Sequence, residues 1–112
     1  MEPILYNARF EEFKSPFGAV KTDEEITFNI RVLNSLPQES VYFIIRQDNS
    51  DTSNYIYMDK SGSYDDYFIY TCKFKTDVAG LYFYRFEIRY NDEVLFIGKA
   101  DNHAVIGDWL PE

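Results

Sequence analysis

From Tyr82 to Tyr90 every second residue is large and apolar: Tyr82, Tyr84, Phe86, Ile88, Tyr90. Arg85, Glu87 and Arg89 lie between them. A period of two belongs to an extended strand with one face buried and the other wet. A helix would scatter these residues around its whole circumference. Once this segment is a strand, it needs partners on its edges and a second layer over its apolar face, because an isolated strand can satisfy neither.

Other stretches repeat the pattern. Ile26, Phe28, Ile30 and Val32 alternate with Thr27, Asn29 and Arg31. Tyr67 to Phe74 alternates again. Val41-Tyr42-Phe43-Ile44-Ile45 is an unbroken apolar run of strand length, as expected of a strand covered fully or partly on both faces. Ile4 to Phe10, Tyr55 to Met58 and Val94 to Ile97 are shorter candidates. Turn chemistry separates them. Lys14 to Ala19, Asn34 to Gln38, Asp48 to Asn54, Asp59 to Asp66 and Asp77 to Gly80 read as turns or loops, with Gly62 expected at positive φ and Asn91-Asp92 as a hairpin signal. The tail beyond Gly98 reads as irregular. No segment holds a 3.6-residue apolar period. The expectation is all-β: an immunoglobulin-like antiparallel β-sandwich of about seven strands. Its expected core is Phe28, Ile30, Val32, Phe43, Ile45, Phe68, Tyr70, Phe74, Tyr82, Tyr84, Phe86 and Ile88.

A chain of 112 residues makes one domain with a core of useful size. Aromatic residues are 19 % of it, and such rings carry enough buried area to stabilise a sandwich without disulfides. None can form internally, because Cys72 is the single cysteine; between Tyr70 and Phe74 it reads as a small buried hydrophobe. The net charge of −8 repels phosphate backbones and anionic lipid, which speaks against nucleic-acid and membrane partners and for solubility. The first residues show neither a basic stretch leading into an apolar core nor a membrane span, so a cytoplasmic protein is expected.

Little in the sequence points to bond-breaking chemistry. His103 is the single histidine, and no nucleophile motif or zinc spacing surrounds it. The clusters Glu11-Glu12, Asp23-Glu24-Glu25 and Asp65-Asp66 read as wet surface rather than a carboxylate pair flanking a cleft. Calcium at Asp48 and Asp51 is conceivable by donor type, but the loop has no EF-hand spacing, so a solvated loop and no cofactor are expected. Catalytic residues: none. The tyrosines on or beside loops, Tyr42, Tyr55, Tyr57, Tyr64 and Tyr67, carry the sharper alternative. Aromatic faces stack on the C–H faces of sugar rings while amides bind hydroxyls. Tyr55, Tyr57, Tyr64 and Asn54 are therefore the carbohydrate-binding candidates, against the plainer reading that such tyrosines cap a core with their hydroxyls in water.

Three stretches taken together, Lys14-Ser15-Pro16-Phe17-Gly18-Ala19-Val20, Glu25-Ile26-Thr27-Phe28 and Gly80-Leu81-Tyr82-Phe83-Tyr84-Arg85-Phe86-Glu87-Ile88, resemble the N-terminal immunoglobulin-like domain of α-amylase-family (family thirteen) glycoside hydrolases of the neopullulanase and amylopullulanase kind. The resemblance implies a sandwich over residues 1–106 and an exit segment, 107–112, leading toward a catalytic barrel. It implies a parent enzyme, with no catalytic residue carried by this segment. The implied partners are the barrel of the same chain, an α-glucan of the starch kind, and a second copy in a homodimer, with Trp109 and His103 as domain-interface residues. The alternatives are an autonomous carbohydrate-binding module for α-glucans and a generic protein-interaction sandwich.

Overall fold

The computed structural model describes residues 4–6, 13–15, 20–38, 40–90, 93–96 and 102–106, the last two stretches by backbone pairing and, in part, by exposure. Among the described residues there is no helix, and every strand pairing is antiparallel. The strands are β1 (Ile4–Leu5), β2 (Lys14–Ser15), β3 (Ile26–Leu33), β4 (Ser40–Gln47), β5 (Asn54–Tyr57), β6 (Asp59–Tyr64), β7 (Tyr67–Phe74), β8 (Gly80–Tyr90), β9 (Glu93–Phe96) and β10 (Asn102–Ile106).

They form two sheets. In one, β3 lies between β7 and the pair β1 and β2, and β6 closes the far edge beside β7. In the other, β8 lies between β4 and the pair β9 and β10, with β5 at the far edge beside β4. Both β1 and β2 run along one edge of β3, and both β9 and β10 along one edge of β8, so each pair is a single strand path with an interruption. β5 and β6 also form one path, bent at Met58 so that its first half joins one sheet and its second half the other. The ten strands thus reduce to the seven expected, in the order of an immunoglobulin-type sandwich.

The period-two segments behave as their sequence dictates. β3 alternates buried and half-buried along all eight residues. On β8, Tyr82, Tyr84, Phe86 and Ile88 point into the sandwich and are buried. Phe28 and Phe43, from opposite sheets, meet at a ring-centroid distance of 4.4 Å, and Tyr84 and Phe86 close on both. Ten of the twelve expected core residues are buried, and the other two, Phe68 and Phe74, are partly buried against the same cluster. Val20, Ile26, Val41, Met58 and Cys72 complete its buried set.

The entry into β8 carries a second fold signature. Tyr82 donates its hydroxyl hydrogen to the carbonyl of Val78 at 2.7 Å, four residues back. This is the tyrosine corner of immunoglobulin-like sandwiches, which ties the turn between the sheets to the strand it feeds. Gly80, the first residue of β8, follows that turn at φ +152°, where an added Cβ would lie 3.0 Å from the Gln47 amide nitrogen.

Four local expectations are corrected. Lys14 and Ser15 are not part of a turn: they pair with Phe28 and Thr27, and the Lys14 side chain is buried. Asp59 to Tyr64 is not a loop but the edge strand β6, and its polarity reflects an exposed edge rather than a lack of strand structure. Gly62 does not take the positive φ; Asp65 does, at 51°, in the two-residue turn between Tyr64 and Tyr67. The tail is not irregular throughout, since Asn102–Ile106 pairs with Gly80 to Tyr84. The expected turn at Pro16 to Ala19, the hairpin at Asn91-Asp92, most of the strand expected from Ile4 to Phe10, and segment 107–112 lie outside the described residues.

Candidate functional site

The outer face of the second sheet is the best-built surface among the described residues. Alternation on β8 sends Phe83, Arg85, Glu87 and Arg89 outward, opposite to its buried tyrosine and phenylalanine series. On β4 the outward set is Tyr42, Ile44 and Arg46. On β5 it is Tyr55 and Tyr57, which pair across the ladder with Ile44 and Tyr42. Register then fixes neighbours that sequence alone leaves open: Tyr42 faces Glu87, Ile44 faces Arg85 and Arg46 faces Phe83.

The tyrosines form an edge-to-face set. Tyr42 meets Tyr57 at 5.7 Å with the rings 80° apart, and Tyr55 at 6.5 Å with 74° between them. Tyr42 is the half-buried centre, while Tyr55 and Tyr57 are 54 % and 55 % exposed. The arginines lie over rings: Arg89 over Tyr42 at 4.7 Å and Arg46 over Phe83 at 5.0 Å. Arg89 also donates to the Glu87 carboxylate, with its terminal nitrogen 2.7 Å from Oε2 and its Nε at 2.9 Å. That pair holds a carboxylate that is only 5 % exposed on an outward face. Its bonds to Glu87 push the Arg89 guanidinium above its ordinary value. A dimple of about 100 Å³ on this face is lined by Ile44, Arg46, Ser53, Phe83 and Arg85.

The four carbohydrate-binding candidates divide among three places. Tyr55 and Tyr57 share the face just described. Tyr64 ends β6 on the other sheet, where the Arg31 guanidinium lies 4.6 Å from its ring centre and 5.1 Å from that of Phe13. Asn54 pairs with Ile45 and lines a cleft of about 320 Å³ at one end of the sandwich, with Gln47, Thr52, Phe74 and Thr76. His103 stands opposite Phe83 in the β8–β10 ladder. Trp109 lies outside the described residues. Asp48 and Asp51 are in the segment joining β4 to β5, and among the described residues no three His, Cys, Asp or Glu side chains converge as a metal site would require. The same residues include no helix long and apolar enough to cross a membrane.

The arginines of this face are not among the sequence-derived candidates. Their signal was present in the outward positions of β8, but their placement beside Tyr42, Ile44 and Phe83 is a matter of register.

Cys72 is buried, and burial pushes its thiol up from 9.0 to about 12. A thiol held protonated is a poor nucleophile, so Cys72 acts as packing. The linkage has a definite sign. The unfolded chain loses this proton near its ordinary value, the folded chain only near 12, so the folded state binds more protons between the two. Stability is therefore full below about pH 9 and falls as pH rises toward 12. Tyr6 and Tyr70, both raised by burial, act in the same direction above pH 10. Urea midpoints measured at successive alkaline pH values check this: a Cys72→Ala chain should show a shallower decline than the parent.

No family model matches the sequence, and no curated protein matches it. By structure, the fold is similar to part of a solved protein titled cyclomaltodextrinase, with a TM-score of 0.66 and 15 % identity over 86 % of this chain and 16 % of that one. That likeness is one of fold, and this chain spans 16 % of the length of its relative.

Proposed function

We propose that this chain is a non-catalytic N-terminal accessory domain of a starch- or maltodextrin-degrading hydrolase of the α-amylase family. Its role is to dock on the catalytic barrel, shape the edge of the substrate cleft and support a dimer. The observation that carries this reading is the fold likeness to a 16 % portion of a chain titled cyclomaltodextrinase: a sandwich of this size and topology sits within a longer enzyme. The Ser15-Pro16-Phe17-Gly18-Ala19 and Gly80-Leu81-Tyr82-Phe83-Tyr84 motifs support the same reading. Trp109 and His103 belong to the domain interface in this picture.

Two measurements test it. The 112 residues alone should release no reducing ends from maltodextrin or pullulan; turnover by them would overturn the reading. The reading frame beyond Glu112 should encode a (β/α)₈ barrel of roughly 250 residues or more. A frame without one would leave a free-standing sandwich.

A second reading is favoured by one observation, the exposure of Tyr55 and Tyr57 on a single face with Tyr42 between them. Three rings in that arrangement offer apolar faces to glucose units of an α-glucan. Calorimetric titration with maltohexaose should give saturable heat that Tyr55→Ala and Tyr57→Ala together abolish. Absence of heat at millimolar sugar removes this reading.

A further inference from the structure

We propose that the cleft of about 320 Å³ at the end of the sandwich binds one neutral, polyhydroxylated ring. The side-chain amides of Gln47 and Asn54 hold its hydroxyls, and Phe74 supplies the apolar wall. This site is separate from the tyrosine face. The inference needs neither the amylase-family reading nor the glucan reading of that face, because it follows from the lining of the cleft itself.

Strand alternation is the first argument. Residues directly opposite each other in an antiparallel ladder project to the same face. Asn54 pairs with Ile45 and Gln47 with Tyr82, and both Ile45 and Tyr82 are buried between the sheets. Gln47 and Asn54 therefore stand at core-facing positions. The inward series of β4 runs Val41, Phe43, Ile45 and then Gln47. That of β5 runs from Ile56, toward the same end, to Asn54. Each series changes from apolar to amide where the interior opens into the cleft. Gly80 leaves the Gln47 amide its room, since a Cβ there would lie 3.0 Å from the amide nitrogen.

Donor and acceptor chemistry is the second. A side-chain amide carries both N–H donors and a carbonyl acceptor. Among the described residues, the amides of Gln47 and Asn54 hydrogen-bond to no other protein group. A hydroxyl is also donor and acceptor at once, so a pair of amides matches a ligand rich in hydroxyls. An anion would call for donors alone and a cation for acceptors alone. Lys75 is the one charged residue among the described residues lining the cleft, and it is exposed. Phe74 is half-buried, packed at 6.3 Å against Phe43 and at 5.9 Å against Tyr82. It offers the cleft an apolar surface suited to the C–H face of a ring.

Rigidity and size are the third. On one wall, the Asp48 amide donates to the Leu81 carbonyl at 2.8 Å and the Ser50 amide to the Gln47 carbonyl at 3.0 Å. The Thr52 amide donates to the Ser50 hydroxyl at 3.2 Å. On the other wall, the Val78 amide donates to the Thr76 hydroxyl at 3.2 Å, and the tyrosine corner fixes Tyr82. These bonds engage the hydroxyls of Ser50, Thr76 and Tyr82 within the protein and leave the two amides to face a ligand. Walls tied in this way reduce the ordering that binding would otherwise require. A volume of about 320 Å³ is at the small end of ligand sites, so the cleft suits a single ring rather than a chain of them.

The test titrates methyl α-glucoside, and separately myo-inositol, into the isotope-labelled 112-residue chain and follows backbone and side-chain amide signals by NMR. The expected result is saturable movement of the Gln47 and Asn54 side-chain amides and of the backbone amides of Phe74 and Thr76, with a midpoint on the order of millimolar. Cyclohexanol, a ring of the same size with one hydroxyl, should leave these signals in place. Asn54→Ala should weaken binding about fivefold, as the loss of one neutral hydrogen bond does. Asn54→Asp keeps the shape but removes the N–H donors, and should weaken it too. Gly62→Ala, on the other sheet, should leave binding unchanged. Movement that never saturates, or none at all, overturns the proposal and leaves the cleft as a hydrated end of the core. Equal movement with cyclohexanol overturns it in favour of an apolar cavity. Movement confined to Tyr42, Tyr55 and Tyr57 overturns it in favour of the tyrosine face. Unchanged binding by Asn54→Asp overturns the role given to the amides.

Discussion

Replacing Phe86 by Ala should lower the free energy of unfolding by about 3–5 kcal/mol. Phe86 is fully buried, and rings from both sheets surround it: Tyr6 at 4.7 Å, Phe43 at 5.5 Å, Tyr84 at 5.9 Å and Phe28 at 6.4 Å. Truncation removes the transfer energy of the ring and leaves a cavity. The cavity collapses poorly here because its walls hang from β3, β4 and β8, whose ladders hold them at fixed spacing. A domain of ordinary stability has about 5–15 kcal/mol to lose, so one substitution removes a large share of it. Urea unfolding should show a lower midpoint with an unchanged slope, the sign that the native state and not the unfolded ensemble was altered. A midpoint like that of the parent chain would mean that Phe86 is not the centre of the core. Phe74, only partly buried at the margin of the same cluster, should be less costly to truncate.

Met58→Ala should cost about 2–5 kcal/mol, nearly as much, for a different reason. Met58 is fully buried although it lies between two exposed edge strands. It is the residue at which one strand path leaves the second sheet and joins the first, and its amide donates to the Val41 carbonyl at 2.8 Å. The side chain therefore fills the open side of the sandwich at the crossing point. An unbranched thioether suits a gap of irregular outline. Truncation should let the crossover fray, so amides of β5 and β6 should exchange faster with solvent than those of β3 or β8. Met58→Leu conserves volume and should cost less than about 1.5 kcal/mol. Gly62→Ala, four residues on, is a control: an added Cβ there meets nothing within 4 Å, and the midpoint should hardly move. Equal behaviour of Met58→Ala and Gly62→Ala would rule out the proposed role of Met58.

Residues whose environment is set by strand alternation were legible from the chain alone. Phe28, Ile30 and Val32 on β3 and Tyr82, Tyr84, Phe86 and Ile88 on β8 went inside as their spacing required, because the pleat offers only two directions. Residues whose environment depends on which strands become neighbours were not. Lys14 looked like a turn residue, since a two-residue strand has no period to read. Asp59 to Tyr64 looked like a loop, since an exposed edge strand needs no apolar face. Met58 read only as the last residue of a short strand from Tyr55, and the crossover gave it its buried place. The tyrosine corner was spelled out by Val78 and Tyr82 four apart, but its meaning depends on the turn that joins the sheets.

The candidate face shows the same division. Outward positions for Arg85, Glu87 and Arg89 follow from the period of β8, whereas which tyrosines are exposed did not follow from the sequence; the structure exposes Tyr55, Tyr57 and Tyr64. The pairing that sets Arg85 beside Ile44 and Phe83 beside Arg46, and so creates the dimple, comes from the registers of β4 with its two neighbours. Sequence determined that this chain is a pair of sheets around a slab of rings, because alternation of large apolar and polar residues is a local property that a strand satisfies and a helix does not. Tertiary structure alone decided which arginine meets which ring, where a strand changes sheets, and that Tyr64 lies on the other sheet from Tyr55 and Tyr57. Those are relations between distant segments, fixed by register and crossover, and no local pattern encodes them.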